Sequence, residues 1–245
     1  MGLGPIGSEG CRADVANGSA ASGGAGCGHC PGFTVQAPTI ANVWTDRIVD
    51  VTGWRQAAEG PGWEQVEAEL GVALPTDFKE LSRRFVPGAF SGYLDLLRPT
   101  DEHFGTPLLS MWFGGRQMAV LHGSHARLRE PYRVYGPDTG PGLVQWGIDI
   151  SEGDHFWLVD RSVEPERWPV VSRRESGESW HQFDMSTAEF VYRVIADPEF
   201  KPFTVADPPR LPFYLPYWAP YPPSPAEWAA LTSPNREARP CQPSA

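Results

Sequence analysis

The clearest hydrophobic pattern of the chain opens at Trp63 and predicts a short amphipathic helix. Trp63, Val66 and Leu70 recur at i, i+3 and i+7, so they share one face of that helix. Gly71 is a typical helix stop, because glycine adopts a left-handed conformation without strain. The pattern therefore predicts a helix that ends in a tight corner at Gly71.

A second short helix is predicted directly after the corner. Pro75 suits its first position, and the positive N-terminal end of the helix favours the negative charge of Asp77. Phe78, Leu81 and Phe85 give this helix an apolar stripe of its own. Helices this short are unstable alone, so both are expected to pack against a sheet.

The second half of the chain supplies the pattern of that sheet. One segment alternates between two sets of side chains and predicts a half-buried strand, with Val144, Trp146, Ile148 and Ile150 on one side and Gln145, Gly147 and Asp149 on the other. A turn at residues 151–154 is expected to lead into an antiparallel partner. The further predicted strands are Gly92–Leu97, Phe156–Asp160, Trp168–Ser172 and Ser179–Phe183.

Three more helices complete the prediction. Apolar residues with helical spacing run from Ile40 to Val51 and are closed by Gly53. Residues 106–129 are expected to be mostly helical, with a break at Gly114-Gly115 and with Met118, Leu121, His122 and Leu128 on the inner side. The last helix begins at Ser186, which forms a capping box with Glu189, and it ends at Asp197-Pro198.

The order of these elements predicts an α+β fold in a single domain of residues 39–197, with helices packed on a mainly antiparallel sheet. Residues 1–38 are a Gly-rich, low-complexity tail that is expected to be disordered. Residues 198–245 form an arm rich in proline and aromatic residues, expected to be extended.

Charge and hydropathy narrow the class of protein. The net charge of −10 disfavours nucleic acid as a direct partner and favours a basic protein. No apolar run approaches the ~20 residues of a membrane helix, so no membrane association is expected. The N-terminus lacks the apolar core of a signal peptide, which makes the cytoplasm the expected compartment.

Sequence motifs for redox, metal or nucleotide chemistry are weak. Cys27-Gly-His-Cys30 has the spacing of a dithiol motif but lies in Gly/Ala/Ser sequence without the helix that would activate the first thiol. His122 and His125 could share a helix face, but no carboxylate accompanies them. Gly2–Gly7 matches a dinucleotide-binding pattern without a preceding strand. We therefore predict no catalytic residue, no cofactor and no metal.

Four acidic residues flank one turn of the predicted sheet, namely Asp149, Glu152, Asp154 and Asp160. They are either a solvated face or an anionic patch that steers the protein onto a basic partner. The second interpretation makes them the candidate partner-binding residues.

Several motifs in order resemble the SUKH superfamily, whose name refers in part to a yeast regulator of cell-wall assembly. The resemblance covers roughly residues 40–196. The residues that carry it are Trp63, Leu70, Gly71, Leu74, Pro75, Asp77, Phe78, Trp146, Gly147, Trp157, Trp168 and Pro169. As large buried side chains, the tryptophans among them are expected to belong to the core.

The resemblance implies a non-enzymatic protein-binding module. Many bacterial members are immunity proteins that neutralise a toxin, often a nuclease or a deaminase, and this is the leading hypothesis, with a basic toxin domain as partner. An intracellular regulatory scaffold that uses Pro209–Pro212 of the arm is the alternative. A thiol or metal enzyme that uses Cys27 and Cys30 is a third.

Overall fold

Helices pack on an antiparallel sheet, which confirms the predicted α+β class. The computed structural model describes residues 40–56, 62–99, 107–121, 130–173, 179–202 and 212–219, all within the unit formed by residues 38–245. The described helices are α1 (Ile40–Thr52), α2 (Glu64–Leu70), α3 (Thr76–Arg84), α4 (Leu108–Leu121) and α5 (Thr187–Ala196).

Seven strands of the described chain form one sheet in the order β6-β5-β4-β3-β2-β1-β7, and every neighbouring pair is antiparallel. The strands are β1 (Gly88–Phe90), β2 (Leu94–Leu96), β3 (Gly142–Asp149), β4 (Asp154–Val159), β5 (Val170–Arg173), β6 (Trp180–Phe183) and β7 (Tyr214–Pro216). The five predicted strands correspond to β2, β3, β4, β5 and β6 within a few residues.

Two of these strands were not predicted. Strand β1 precedes the predicted first strand, and β7 comes from the segment assigned to the arm and pairs with β1. Tyr214 of β7 is fully buried in the main core. The sheet thus takes its last strand from the far end of the sequence.

The corner between α2 and α3 has the predicted form. Gly71 has a φ of 68°, in the left-handed region, and its N–H donates to the carbonyl of Glu67. Pro75 differs from the prediction by one position, since its ψ of 132° is extended and α3 begins at Thr76. The proline precedes the helix rather than occupying its first turn.

Aromatic rings from the helices and the sheet meet around Phe78 of α3. Its ring centroid lies 5.1 Å from that of Trp63, 4.7 Å from Trp157 and 6.5 Å from Trp146. The predicted core is confirmed, because these side chains are all buried together with Leu70, Leu74 and Trp168.

Asp77 joins α3 to the start of α5, 111 residues further along the chain. Its Oδ1 accepts the N–H of Phe78 at 2.8 Å, and its Oδ2 accepts the N–H of Ala188 at 2.7 Å. Burial raises the pKa of Asp77, although these backbone donors act in the opposite direction. The predicted cap of α5 is also present, with Ser186 Oγ accepting the N–H of Glu189 at 3.3 Å.

Helix α4 departs from its prediction in two ways. It continues through Gly114-Gly115, where a break was predicted. Its buried side chains are Leu108 and Trp112, whereas Met118 and Leu121 are exposed instead of facing inward. His122 and Leu128, the other two predicted inner residues, lie outside the described residues.

Candidate functional site

A β-bulge at Trp146 decides which way the predicted acidic residues point. Gln145 pairs with Phe156 and Gly147 pairs with His155, so Trp146 is an extra residue on β3. One extra residue exchanges the faces of all later side chains on the strand. The predicted alternation therefore fails after Trp146, and Asp149 turns toward the helices.

Asp149 is consequently buried, and the prediction that it is an exposed carboxylate is wrong. Its Oδ1 accepts the N–H groups of Ser151 at 2.8 Å and Gly153 at 3.0 Å, and its Oδ2 accepts the hydroxyl of Tyr93 at 3.2 Å. Burial alone would raise the pKa of Asp149, but the His155 ring and the two backbone N–H groups hold this pKa below its usual value. The residue closes the β3–β4 turn from the inside.

Asp149, His155 and Ser172 form a row of three polar side chains. His155 Nε2 is 3.5 Å from Asp149 Oδ2, and His155 Nδ1 is 2.9 Å from Ser172 Oγ. Asp, His and Ser side chains in this order catalyse nucleophilic attack in enzymes in which the serine is accessible to the substrate. Here Ser172 and His155 have no exposed surface, so a substrate carbonyl does not reach Ser172 Oγ in this structure. This row of side chains links β3, β4 and β5.

The other three predicted acidic residues are not brought together into one cluster. Glu152 is exposed at the tip of the turn with a φ of 60°. Asp154 forms an ion pair with Arg173 and accepts the side-chain N–H of Gln145 at 2.7 Å. Asp160 accepts the N–H of Ser162 at 2.8 Å, and hydrogen bonds from Ser162 lower its pKa. Of the four predicted residues, Glu152 alone is exposed, as the predicted patch requires.

The outer surface of α4 is apolar. The helix sequence is LLSMWFGGRQMAVL, with Arg116 as its one charged residue. Trp112 anchors its inner side, with Nε1 donating to the carbonyl of Tyr135 at 2.9 Å. Outside, Val120 is 84% exposed, Leu121 62% and Phe113 46%. These apolar side chains flank the buried strip on both sides, and the exposed polar residues Ser110 and Gln117 lie between them.

A cleft opens at the end of the sheet where Asp95 points away from the helices. Its volume is about 260 Å³, and its walls come from the β1–β2 turn, β7 and the β3–β4 turn. Asp95 of β2 lies in this cleft, between two leucines that face the core. The hydroxyl of Tyr217 donates to Asp95 Oδ2 at 2.8 Å.

The charge of Asp95 is poorly compensated. Burial raises the pKa of Asp95 to about 6, although the Tyr217 hydroxyl and the charge of Arg98 act in the opposite direction. Burial and the neighbouring Asp95 charge likewise raise the pKa of Tyr217. The cleft therefore holds a carboxyl group whose pKa is raised to about 6.

Sequence reasoning missed both this cleft and the outer surface of α4. The Leu-Asp-Leu alternation of β2 could have indicated that Asp95 faces away from the core. Its neighbour Tyr217 lies 122 positions later, and no local pattern connects the two. For α4, a mostly apolar composition was the available signal.

Several sequence hypotheses fall on residues that the structure does not describe. These are Cys11, Cys27, Cys30, Cys241, His125 and most of Pro209–Pro212. Within the described ranges, no group of three or more His, Cys, Asp or Glu side chains could hold a metal ion. None of the helices in the described part is both long and apolar enough to span a membrane.

The function has to be inferred from the residues of this chain, because one fold can host many unrelated functions. Comparisons with protein-family models, with curated proteins and with solved structures find no match.

Proposed function

We propose that the chain is a non-enzymatic protein-binding module, and specifically an immunity protein of the SUKH type that binds and neutralises a toxin of the nuclease or deaminase class. The observation that carries this proposal is the apolar outer surface of α4. The exposed side of a helix in a globular protein normally carries mainly charged and polar side chains. In α4 only Leu108 and Trp112 are buried. Exposed apolar patches on water-soluble proteins commonly mark binding surfaces for other proteins.

The charge of the chain favours a basic partner. A protein that acts on nucleic acid uses Lys and Arg to neutralise phosphate groups. A binder with a net charge of −10 is complementary to such a surface, and the attraction accelerates encounter. Glu152, exposed at the tip of the β3–β4 turn, contributes to that field.

The SUKH resemblance points in the same direction. Its motif residues, such as Trp63, Phe78 and Trp157, are core residues of an α+β fold here. Members of that superfamily act by binding proteins rather than by catalysis. The proposal of no enzymatic activity agrees with the burial of Ser172 and His155, the side chains that most resemble a catalytic pair.

Affinity capture with the tagged full chain tests the proposal. The captured protein should arrest growth when it is produced alone in a test strain, and co-production of the chain should restore growth. A captured protein that is harmless when produced alone would contradict the immunity function and favour the regulatory scaffold.

The role of α4 is tested with the captured protein after purification. Phe113→Asp and Val120→Asp place a charge on the apolar surface and should each weaken binding at least tenfold. Gln117→Glu is the matched control, because it adds one negative charge at an exposed polar position of the same helix. Wild-type affinity for both aspartate variants, with unchanged thermal unfolding, would remove α4 from the interface.

A further inference from the structure

We propose that the cleft beside Asp95 receives an arginine side chain of the partner protein. This inference rests on the proposed function, and it names one chemical contact of the complex. Asp95 is held in a fixed position, it has no ion-pair partner among the described residues, and the cleft around it has apolar and aromatic walls.

Asp95 presents its carboxylate at a fixed place. It lies in the middle of β2, paired with Ala89 of β1 on one side and with Ile148 of β3 on the other. The Tyr217 hydroxyl holds Oδ2 at 2.8 Å, and no donor of the described chain binds Oδ1. One oxygen is therefore positioned while the other is available to a ligand.

The positive charge of Arg98, which acts on this carboxylate, is already engaged elsewhere. Arg98 influences Asp95 electrostatically, but its guanidinium donates to the backbone carbonyls of Ser82 at 3.2 Å and Val86 at 2.9 Å. No ion pair of Asp95 within 4.0 Å exists among the described residues. Asp149, which also lines the cleft, directs its oxygens to Tyr93, Ser151 and Gly153. An incoming cation would thus supply a missing charge.

The walls of the cleft suit a guanidinium group better than an ammonium group. Tyr217 contributes an exposed aromatic side chain, and Ile150, Leu215 and Pro216 contribute apolar surface. Arginine has a flat, weakly hydrated head that stacks on such surfaces and donates paired hydrogen bonds to carboxylates. A volume of about 260 Å³ admits one side chain rather than a larger element. The acidic chain also favours a cation over an anion at this place.

The test is an NMR titration of the full chain with N-acetyl-arginine amide and with N-acetyl-citrulline amide. Citrulline has the shape of arginine without its charge. The arginine compound should shift the amide signals of Tyr93, Asp95, Ile150 and Tyr217 in a saturable way, with a Kd on the order of 10 mM. The citrulline compound should give no saturable shift. Equal shifts with both compounds, or none with either, would overturn the proposal.

Two variants with the same chemical change assign the effect to the cleft. Asp95→Asn keeps the shape and an acceptor for Tyr217, and it should weaken binding of the arginine compound at least tenfold. Asp138→Asn makes the identical change at an exposed position of another loop and should have no effect. Wild-type affinity of Asp95→Asn for the arginine compound would contradict the site.

The captured partner separates this inference from the proposed function. Asp95→Asn should weaken its binding at least tenfold, again with Asp138→Asn as control. An unchanged affinity would show that the cleft does not receive a partner side chain. A negative result in the NMR titration or in the partner-binding measurement would not change the effect expected for the aspartate variants of α4, since Phe113 and Val120 do not line the cleft.

Discussion

The two faces of the sheet hold two carboxylates in different ways, one buried (Asp77) and one half-buried (Asp95). On the helix-covered face, each carboxylate oxygen of Asp77 accepts a backbone N–H, Oδ1 from Phe78 and Oδ2 from Ala188. On the opposite face, Asp95 receives one hydroxyl donor, and its second oxygen faces a cleft. Burial raises the pKa of both groups, but only Asp95 stands next to space that a ligand could enter.

The difference separates a structural carboxylate from one suited to binding. The partners of Asp77 belong to its own chain, and its removal would leave a helix end without an acceptor. The charge of Asp95 has no such partner, so at neutral pH it opposes folding while it remains available to a cation. The following predictions test this contrast.

The largest effect is expected in the aromatic core of the helix-covered face. Phe78→Ala removes a ring that contacts Trp63, Trp146 and Trp157, and it should lower the free energy of unfolding by about 3–5 kcal/mol. Phe113→Ala, on the exposed surface of α4, should change that free energy by less than about 0.5 kcal/mol. Urea unfolding of both variants measures the difference. Similar losses in the two variants would mean that α4 is as well packed as the core.

A smaller loss is expected when the structural carboxylate is removed. Asp77→Ala leaves the N–H of Ala188 without its acceptor at the start of α5 and should cost about 2–3 kcal/mol. Hydrogen exchange should accelerate first in the opening turn of α5, because that is where the donor is exposed. Uniform acceleration over the whole sheet would instead indicate that Asp77 acts through general packing.

Features that depend on neighbouring residues could be predicted from the sequence. The corner at Gly71 follows from helical spacing and a left-handed glycine, and the cap of α5 follows from Ser186 and Glu189. In both cases the interacting groups are a few residues apart. The local sequence pattern then contains all the groups that form the corner or the cap.

Features that depend on distant residues could not be predicted in this way. The bulge at Trp146 appears only when β3 and β4 are aligned, and the simple alternation placed Asp149 on the wrong face. Strand β7 contributes three residues whose partner β1 lies more than a hundred positions earlier. Asp95 is a candidate binding residue because the segment that follows β7 places the Tyr217 hydroxyl beside its carboxylate. The candidate cleft is therefore a product of topology rather than of a motif.

The last prediction reverses the sign of the effect, since loss of the Asp95 charge should stabilise the protein. The folded state holds a proton on Asp95 up to its pKa of about 6, while the unfolded state releases this proton near the ordinary value of 3.8. The unfolded state thus binds fewer protons in this interval, and the stability of the wild type falls as the pH rises through it. Asparagine at this position does not titrate. The difference in free energy of unfolding between Asp95→Asn and the wild type should therefore be larger at pH 7.5 than at pH 4, by about 1–2 kcal/mol in favour of the variant.

The other groups that face or influence this carboxyl group remain unchanged in both proteins; they are Tyr217, Arg98, Tyr214 and Asp149. Urea unfolding of the wild type and Asp95→Asn at the two pH values measures the gain, and Asp138→Asn, which makes the same change at an exposed site, should show none. A difference that does not vary with pH would mean that the pKa of Asp95 is not raised in the folded state, and the inference that its charge lacks compensation from its own chain would fail.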